Sequence, residues 1–172
     1  MNIIPEDYFK DGSTLLMLVG PPGCGKSTFS NKLNEKTNCV IISPDKIRGE
    51  LTGDEGDQTN NNAVFRVVYS RLIEHLDNGD NVIYDATNCR SNYRIKIIDL
   101  VKGHAKHTVC IVFTTRLNDC INQNNLRNRI VPEDVIERMY VSLRNHPPTT
   151  FEGYDIIINH AALDCFKEVN NA

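Results

Sequence analysis

The stretch GPPGCGKST, residues 20 to 28, constrains this chain more than any other. It matches the pattern G-x-x-x-x-G-K-[ST] in full, with Gly20, Gly25, Lys26 and Ser27 at the fixed positions. The apolar run Thr14–Val19 (TLLMLV) comes directly before it, and a helix-forming segment, STFSNKL, follows. A strand, a glycine-rich turn and a helix in that order let backbone N–H groups turn inward around an anion. The helix N-terminus adds the positive end of its dipole. An ordinary glycine-rich turn has no need of both flanks. The expected ligand is a nucleotide, with Gly20, Gly23, Gly25 and Thr28 in the wrap. Lys26 would bridge the β- and γ-phosphates, and the Ser27 hydroxyl would hold Mg²⁺.

The rest of the chain alternates apolar runs with helical patterns. The runs are Thr14–Val19, Cys39–Ile42, Asn81–Asp85, Thr108–Phe113 and Tyr154–Ile158. Residues 63–76 place Val64, Val67, Val68 and Leu72 on one helix face, and residues 132–145 do the same for Ile136, Met139, Tyr140 and Leu143. Pro132, followed by Glu133 and Asp134, suits a helix start. Nearly continuous apolar strands between helices predict an α/β fold with a parallel sheet covered on both sides. At 172 residues and 40% apolar content, one domain over 1–172 is expected. The polar stretch TGDEGDQTNNN, residues 52–62, has nothing to bury and is expected to be a mobile loop near the substrate.

Charge and thiols narrow the setting. The net charge is −3 and the pI about 5.9, so nucleic acid could be held only in a local basic groove against the overall field. Six cysteines show no CxxC pair and no metal-ligand spacing, which predicts reduced thiols, with Cys39, Cys110 and Cys165 buried. Cys24 is expected to be a small tolerated residue. The five histidines share no metal-ligand spacing. The N-terminus carries no basic and apolar leader pattern, and no run approaches a membrane span. A soluble, cytoplasmic protein without membrane contact is the expectation.

The phosphate could go to water or to a second substrate. A hydrolase of this kind commonly has a glutamate just after the metal-associated acid, yet no acid follows Asp85 in NVIYDATN, and no N-K-x-D run is present. Asp45, in SPDKIRGEL, lies where the second strand leaves the sheet, at the edge where open α/β sheets bind ligands. It either takes the proton of an attacking hydroxyl or caps a helix. Arg48, three residues on, shares its helix face and either clamps a substrate phosphate or pairs with an acid. Asp85 either holds a Mg²⁺-bound water or orients Ser27, or else ends a strand. Arg90 and Arg94, spaced i, i+4, meet a phosphate or form a solvated basic face. Arg127 and Arg129 lie in a polar stretch ahead of Pro132, as in a hinged lid spanning about 124–145, or else as surface arginines. Arg116, after the fourth strand, is a weaker candidate.

These motifs together resemble the phage and bacterial polynucleotide 5′-kinases of the P-loop kinase superfamily. The resemblance runs from about Leu15 to Asn159, through GPPGCGKST, SPDKIRGEL, VIYDATNCRSNYR and LRNRIVPEDVIERMYVSL. It implies a three-layer α/β/α P-loop kinase fold with five parallel strands in the order 2-3-1-4-5 and a helical lid. It also implies ATP or another NTP as donor, Mg²⁺ at Ser27 and Asp85, and the 5′-OH end of single-stranded RNA or DNA as acceptor. Asp45 matches the family's general base, and Arg48 matches the arginine on the terminal nucleotide's phosphate. The lid arginine on the ATP phosphates falls at Arg127 or Arg129, and Asn88 and Arg90 fall on the acceptor side. No DxDGT-like phosphatase motif occurs, so a stand-alone kinase is expected, in the host cytoplasm if phage-encoded. Gln123 stands where relatives often carry a basic residue, which argues for a short single-stranded end over a long duplex. Homo-oligomerisation stays open. Two rivals also stay open: a kinase of a nucleoside, sugar, nucleotide-sugar or modified base, and a nucleotide-dependent ATPase or switch that transfers nothing.

Overall fold

Strand β1 (Thr14–Val19) is apolar on both faces, and its residues Leu15 to Val19 have no solvent-accessible surface. A strand buried this way needs a layer on each side and a neighbour on each edge. The computed structural model, which describes Ile4 and residues 6–161, supplies all four. Parallel strands β2 (Val40–Ile42), β3 (Val82–Tyr84), β4 (His107–Val112) and β5 (Ile156–Asn159) complete a five-stranded sheet in the order β2-β3-β1-β4-β5. Leu16 pairs with Ile83 on one side and Val109 on the other, which places β1 at the centre. This is the expected strand order.

Side chains alternate between two cores, as a period of two requires. Leu15, Met17 and Val19 face Val64, Val68 and Leu72 of α4 (Asn61–Asp77) and Ile97 and Val101 of α5 (Ser91–Val101). Leu16 and Leu18 face Leu33 of α2 (Lys26–Thr37), Cys120 of α6 (Leu117–Asn125) and Ile136 of α7 (Glu133–Asn145). A short helix, Glu6–Lys10, adds Tyr8 and Phe9 beside the second core.

Several boundaries differ from expectation. Asn81 lies outside β3 because its amide accepts from the Thr14 N–H and donates to the Phe9 carbonyl. Val67 is half-buried, and Leu76 joins the α4 core stripe. Of the expected mobile loop, only residues 53–60 lie between helices, α3 (Pro44–Thr52) and α4. These residues are held by their own polar side chains: Asp54 Oδ1 accepts the Gly56 N–H at 2.7 Å and Asp57 Oδ1 accepts the Thr59 N–H at 2.8 Å. Cys39 and Cys110 are buried as expected, and so are Cys24, Cys89 and Cys120, all five as free thiols. Cys165 lies outside the described residues. Among the described residues no helix is long and apolar enough to cross a membrane.

Candidate active site

The carboxyl ends of parallel strands all point to one edge, and the chain leaves that edge into its chemically distinctive segments. After β1 the loop 20–25 closes on itself. Gly23 has a φ of 79°, and a Cβ there would stand 2.1 Å from the Cys120 carbonyl oxygen, so only glycine fits against α6. Gly25, with a φ of 99°, is the N-cap of α2. The space a Cβ on Gly20 would need is taken by Cys24 Sγ, which gives Cys24 a packing role. Lys26 is buried, and its Nζ donates to the Gly20 and Pro21 carbonyls, each at 2.8 Å. Ser27 and Thr28 lie exposed in the first turn of α2.

After β2, Ser43 and Pro44 start α3 and put Asp45 in its first turn, half-exposed. Arg48 is 4% exposed and extends along the same face. Its Nη1 donates to Asp45 Oδ1 at 2.5 Å and to the Glu55 carbonyl at 3.0 Å, and its Nη2 donates to Asn61 Oδ1 at 3.2 Å. Its Nε is the one buried side-chain polar atom among the described residues with no partner. Arg129 arrives from the far side, donating to the same Glu55 carbonyl at 2.8 Å and standing 3.5 Å from Asp45 Oδ2. Arg127 is exposed, and its guanidinium has no partner among the described residues. Arg116 precedes α6 as its exposed N-cap.

After β3, Asp85 is 7% exposed, and its Oδ2 accepts from Ser30 Oγ at 3.3 Å; of the roles open to it, orienting Ser27 through a direct hydrogen bond is not the one seen. The Ser27 hydroxyl is exposed and Asp85 has a second carboxylate oxygen without a hydrogen bond, so both offer hard oxygen donors of the kind Mg²⁺ prefers. Among the described residues no cluster of three or more His, Cys, Asp or Glu forms a protein cage.

Three polar residues of the third motif have different duties from one another. Asn88 sits at a φ of 49° and its amide donates to the Leu18 carbonyl at 2.8 Å, clamping the loop to β1. Arg94 has no exposed surface and neither meets the cleft nor forms a solvated face. Its guanidinium forks onto both Glu152 oxygens, at 2.6 and 2.7 Å, and donates to the carbonyls of Asn88, Cys89 and His146. Arg90 is the N-cap of α5 and not part of its helical face, which separates it from Arg94. It is exposed, with its Cζ 5.8 Å from the centre of the Tyr93 ring.

A cleft of about 1060 Å³ joins Pro22 of the phosphate loop to Asp45, Arg48, Asp85 and Arg129. Part of its wall was not foreseen from the sequence: Phe65 and Tyr69 of α4, Tyr84, and Lys96, whose Nζ lies 5.0 Å over the Tyr69 ring. Phe65 and Tyr69 are spaced i, i+4 just beside the core stripe Val64 and Val68, a signal that was present in the sequence. Burial raises the Tyr84 pKa, with Tyr69 and the Asp45 charge adding to the shift, so its hydroxyl remains a proton donor. Asn124 was also missed. It is fully buried and bonds both the carbonyl and the N–H of Val131, closing the segment that carries Arg127 and Arg129.

The strand order, with the phosphate loop leaving its central strand, is that of the P-loop kinases. The chain belongs to the AAA domain family, which it matches over residues 15–146. An L-seryl-tRNA(Sec) kinase of Methanococcus maripaludis is 29% identical over 136 residues, 73% of this chain and 51% of that protein. A chain of the Pnkp1/Rnl/Hen1 RNA repair complex is similar with a TM-score of 0.72 and 24% identity, over 84% of this chain and 47% of the other. Shikimate kinase from Acinetobacter baumannii is similar with a TM-score of 0.55 and 16% identity, over 90% of this chain and 87% of the other. The chain therefore spans about half the length of the first two.

Proposed function

We propose that the chain transfers the γ-phosphoryl group of ATP to the 5′-hydroxyl end of single-stranded RNA or DNA. The observation that carries this reading is the cleft. It brings the phosphate loop and the Asp45 carboxylate to one space, large enough for a nucleotide acceptor beside the donor phosphates and walled by aromatic rings and cations. A sugar-sized acceptor has no use for that wall. The RNA repair complex and the tRNA kinase among similar proteins support an RNA-type acceptor.

In the proposed reaction the acceptor oxygen attacks the γ-phosphorus in line, its proton passes to Asp45, and the bond to the bridging oxygen of ADP breaks. Arg48 holds the phosphate that follows the terminal nucleoside. Lys26 exchanges the Gly20 and Pro21 carbonyls for oxygens of the β- and γ-phosphates. Arg127 or Arg129 neutralises charge developing on the transferred group. Ser27 and Asp85 would hold Mg²⁺, which when bound offsets the charge of the β- and γ-oxygens.

The similarity to the seryl-tRNA kinase favours a second reading, in which the acceptor hydroxyl belongs to an aminoacyl group carried on tRNA. Incubation with γ-labelled ATP, Mg²⁺ and either 5′-OH oligonucleotides or seryl-tRNA separates the two. The expected result is label on the oligonucleotide end, absent in Asp45→Asn, with ATP affinity of the variant within a few-fold of wild type. Near-normal turnover by Asp45→Asn would remove Asp45 as the base. Label confined to seryl-tRNA and lost on mild alkaline deacylation would replace the 5′-end reading.

A further inference from the structure

A second groove, of about 850 Å³, runs between the N-terminal end of α5 and the exposed side of α7. It is continuous with the cleft: Thr87, Tyr93, Val135 and Met139 line both. None of the catalytic roles above uses it. We infer that this groove seats the second nucleotide of the acceptor strand, its base stacked on Tyr93 and its phosphate drawn to Arg90. The inference rests on the 5′-kinase reading and deepens it.

Tyr93 is 54% exposed, a large ring left in solvent at the junction of the two cavities. Its neighbours across the groove, Val135 and Met139, are half-buried and apolar, so a base sliding over the ring would meet apolar surface on its other side. Stacking of this kind accepts any base, as an end-processing enzyme requires. Arg90 already lies against the ring and has no carboxylate partner among the described residues, which leaves its charge available to a phosphate. The opposite wall behaves differently. Arg138 is engaged by Asp134 at 2.5 Å, and Glu137 adds an uncompensated negative charge. Phosphate is thereby repelled from α7 and attracted to α5, which orients the strand. An acceptor of one nucleotide fills the cleft alone, so the groove contributes only when the acceptor is a polymer.

The test measures kcat/KM for 5′-OH acceptors of one, two and three nucleotides, each ending in a 3′-phosphate, with wild type, Tyr93→Ala, Tyr93→Phe and Arg90→Gln. Wild type is expected to gain about tenfold on adding the second nucleotide and little on adding the third. Tyr93→Ala reduces that gain to about twofold or less, and Tyr93→Phe keeps it, because stacking needs the ring and not the hydroxyl. An abasic second residue reproduces the Tyr93→Ala loss in the wild-type enzyme. An undiminished gain in Tyr93→Ala, or no gain in wild type, overturns the inference while the 5′-kinase reading stands. If no 5′-OH acceptor of any length is phosphorylated, that reading falls and this inference falls with it.

Discussion

Arg129 Nη1 stands 3.5 Å from Asp45 Oδ2 while Arg48 Nη1 stands 2.5 Å from Oδ1, so each oxygen of this carboxylate faces a guanidinium. Arg129 is thus engaged beside Asp45, and Arg127 is the arginine of the pair left unengaged among the described residues. Arg129→Ala is expected to raise the KM of the acceptor more than that of ATP. Arg127→Ala is expected to lower kcat by about a hundredfold with little change in acceptor KM, as loss of a charge-stabilising donor does. Steady-state kinetics with both substrates varied decides it. The reverse split would exchange the two roles.

Gly23→Ala introduces a Cβ 2.1 Å from the Cys120 carbonyl oxygen at a φ of 79°. Left-handed backbone alone costs about 1–2 kcal/mol for an L-residue. Gly79→Ala, with a φ of 87° and open space around it, measures that component by itself. Gly23→Ala should therefore lose more stability than Gly79→Ala and should also weaken ATP binding at least about tenfold, because the phosphate wrap must shift. Thermal unfolding and nucleotide titration of the two variants test this. Equal losses would mean that the loop yields freely against α6.

Arg94→Met leaves the Glu152 carboxylate buried without its guanidinium. Removing one partner of a buried pair costs about 3–5 kcal/mol, far more than the pair's net contribution. The double variant Arg94→Met with Glu152→Gln should recover part of the loss. Urea midpoints report both. A single-variant loss below about 1 kcal/mol would show that water reaches Glu152.

Burial pushes the Cys89 and Cys110 thiols up to about 12. Their folded pKa values exceed the unfolded value, so ionisation favours the unfolded chain once pH passes about 8.5. The stability from keeping them neutral is complete below that pH and is lost progressively toward pH 12, at up to about 1.4 kcal/mol per pH unit for each thiol. Urea unfolding at pH 7 to 10 should show the decline, and Cys110→Ala should make it shallower. An unchanged slope in that variant would mean the thiol is already ionised or exposed.

The sheet and the phosphate loop were legible in the sequence because both are local patterns. Five apolar runs bounded by turns mark the strands, and three fixed residue types mark the loop. Arg94 was not legible. Its partner Glu152 lies 58 residues away, and nothing in a helix period distinguishes an arginine bound for solvent from one bound for a buried carboxylate. Arg90 misled for a related reason, since α5 begins at Ser91 without a conventional capping side chain. The segment at residues 53–60 looked structureless because its order comes from Asx-type bonds and from Arg48 and Arg129 gripping the Glu55 carbonyl. Both of those arginines lie outside the segment.

The strand order also sets what can vary independently. The segments bearing Asp45, Tyr69 and Asp85 adjoin β2 and β3 at one end of the sheet, whereas the phosphate loop follows central β1 and rests on α6. On the proposed function, replacement of the α3–α4 unit would change the acceptor clientele while the fuel port at the phosphate loop stayed intact, with a natural seam for such a graft at the edge of β2.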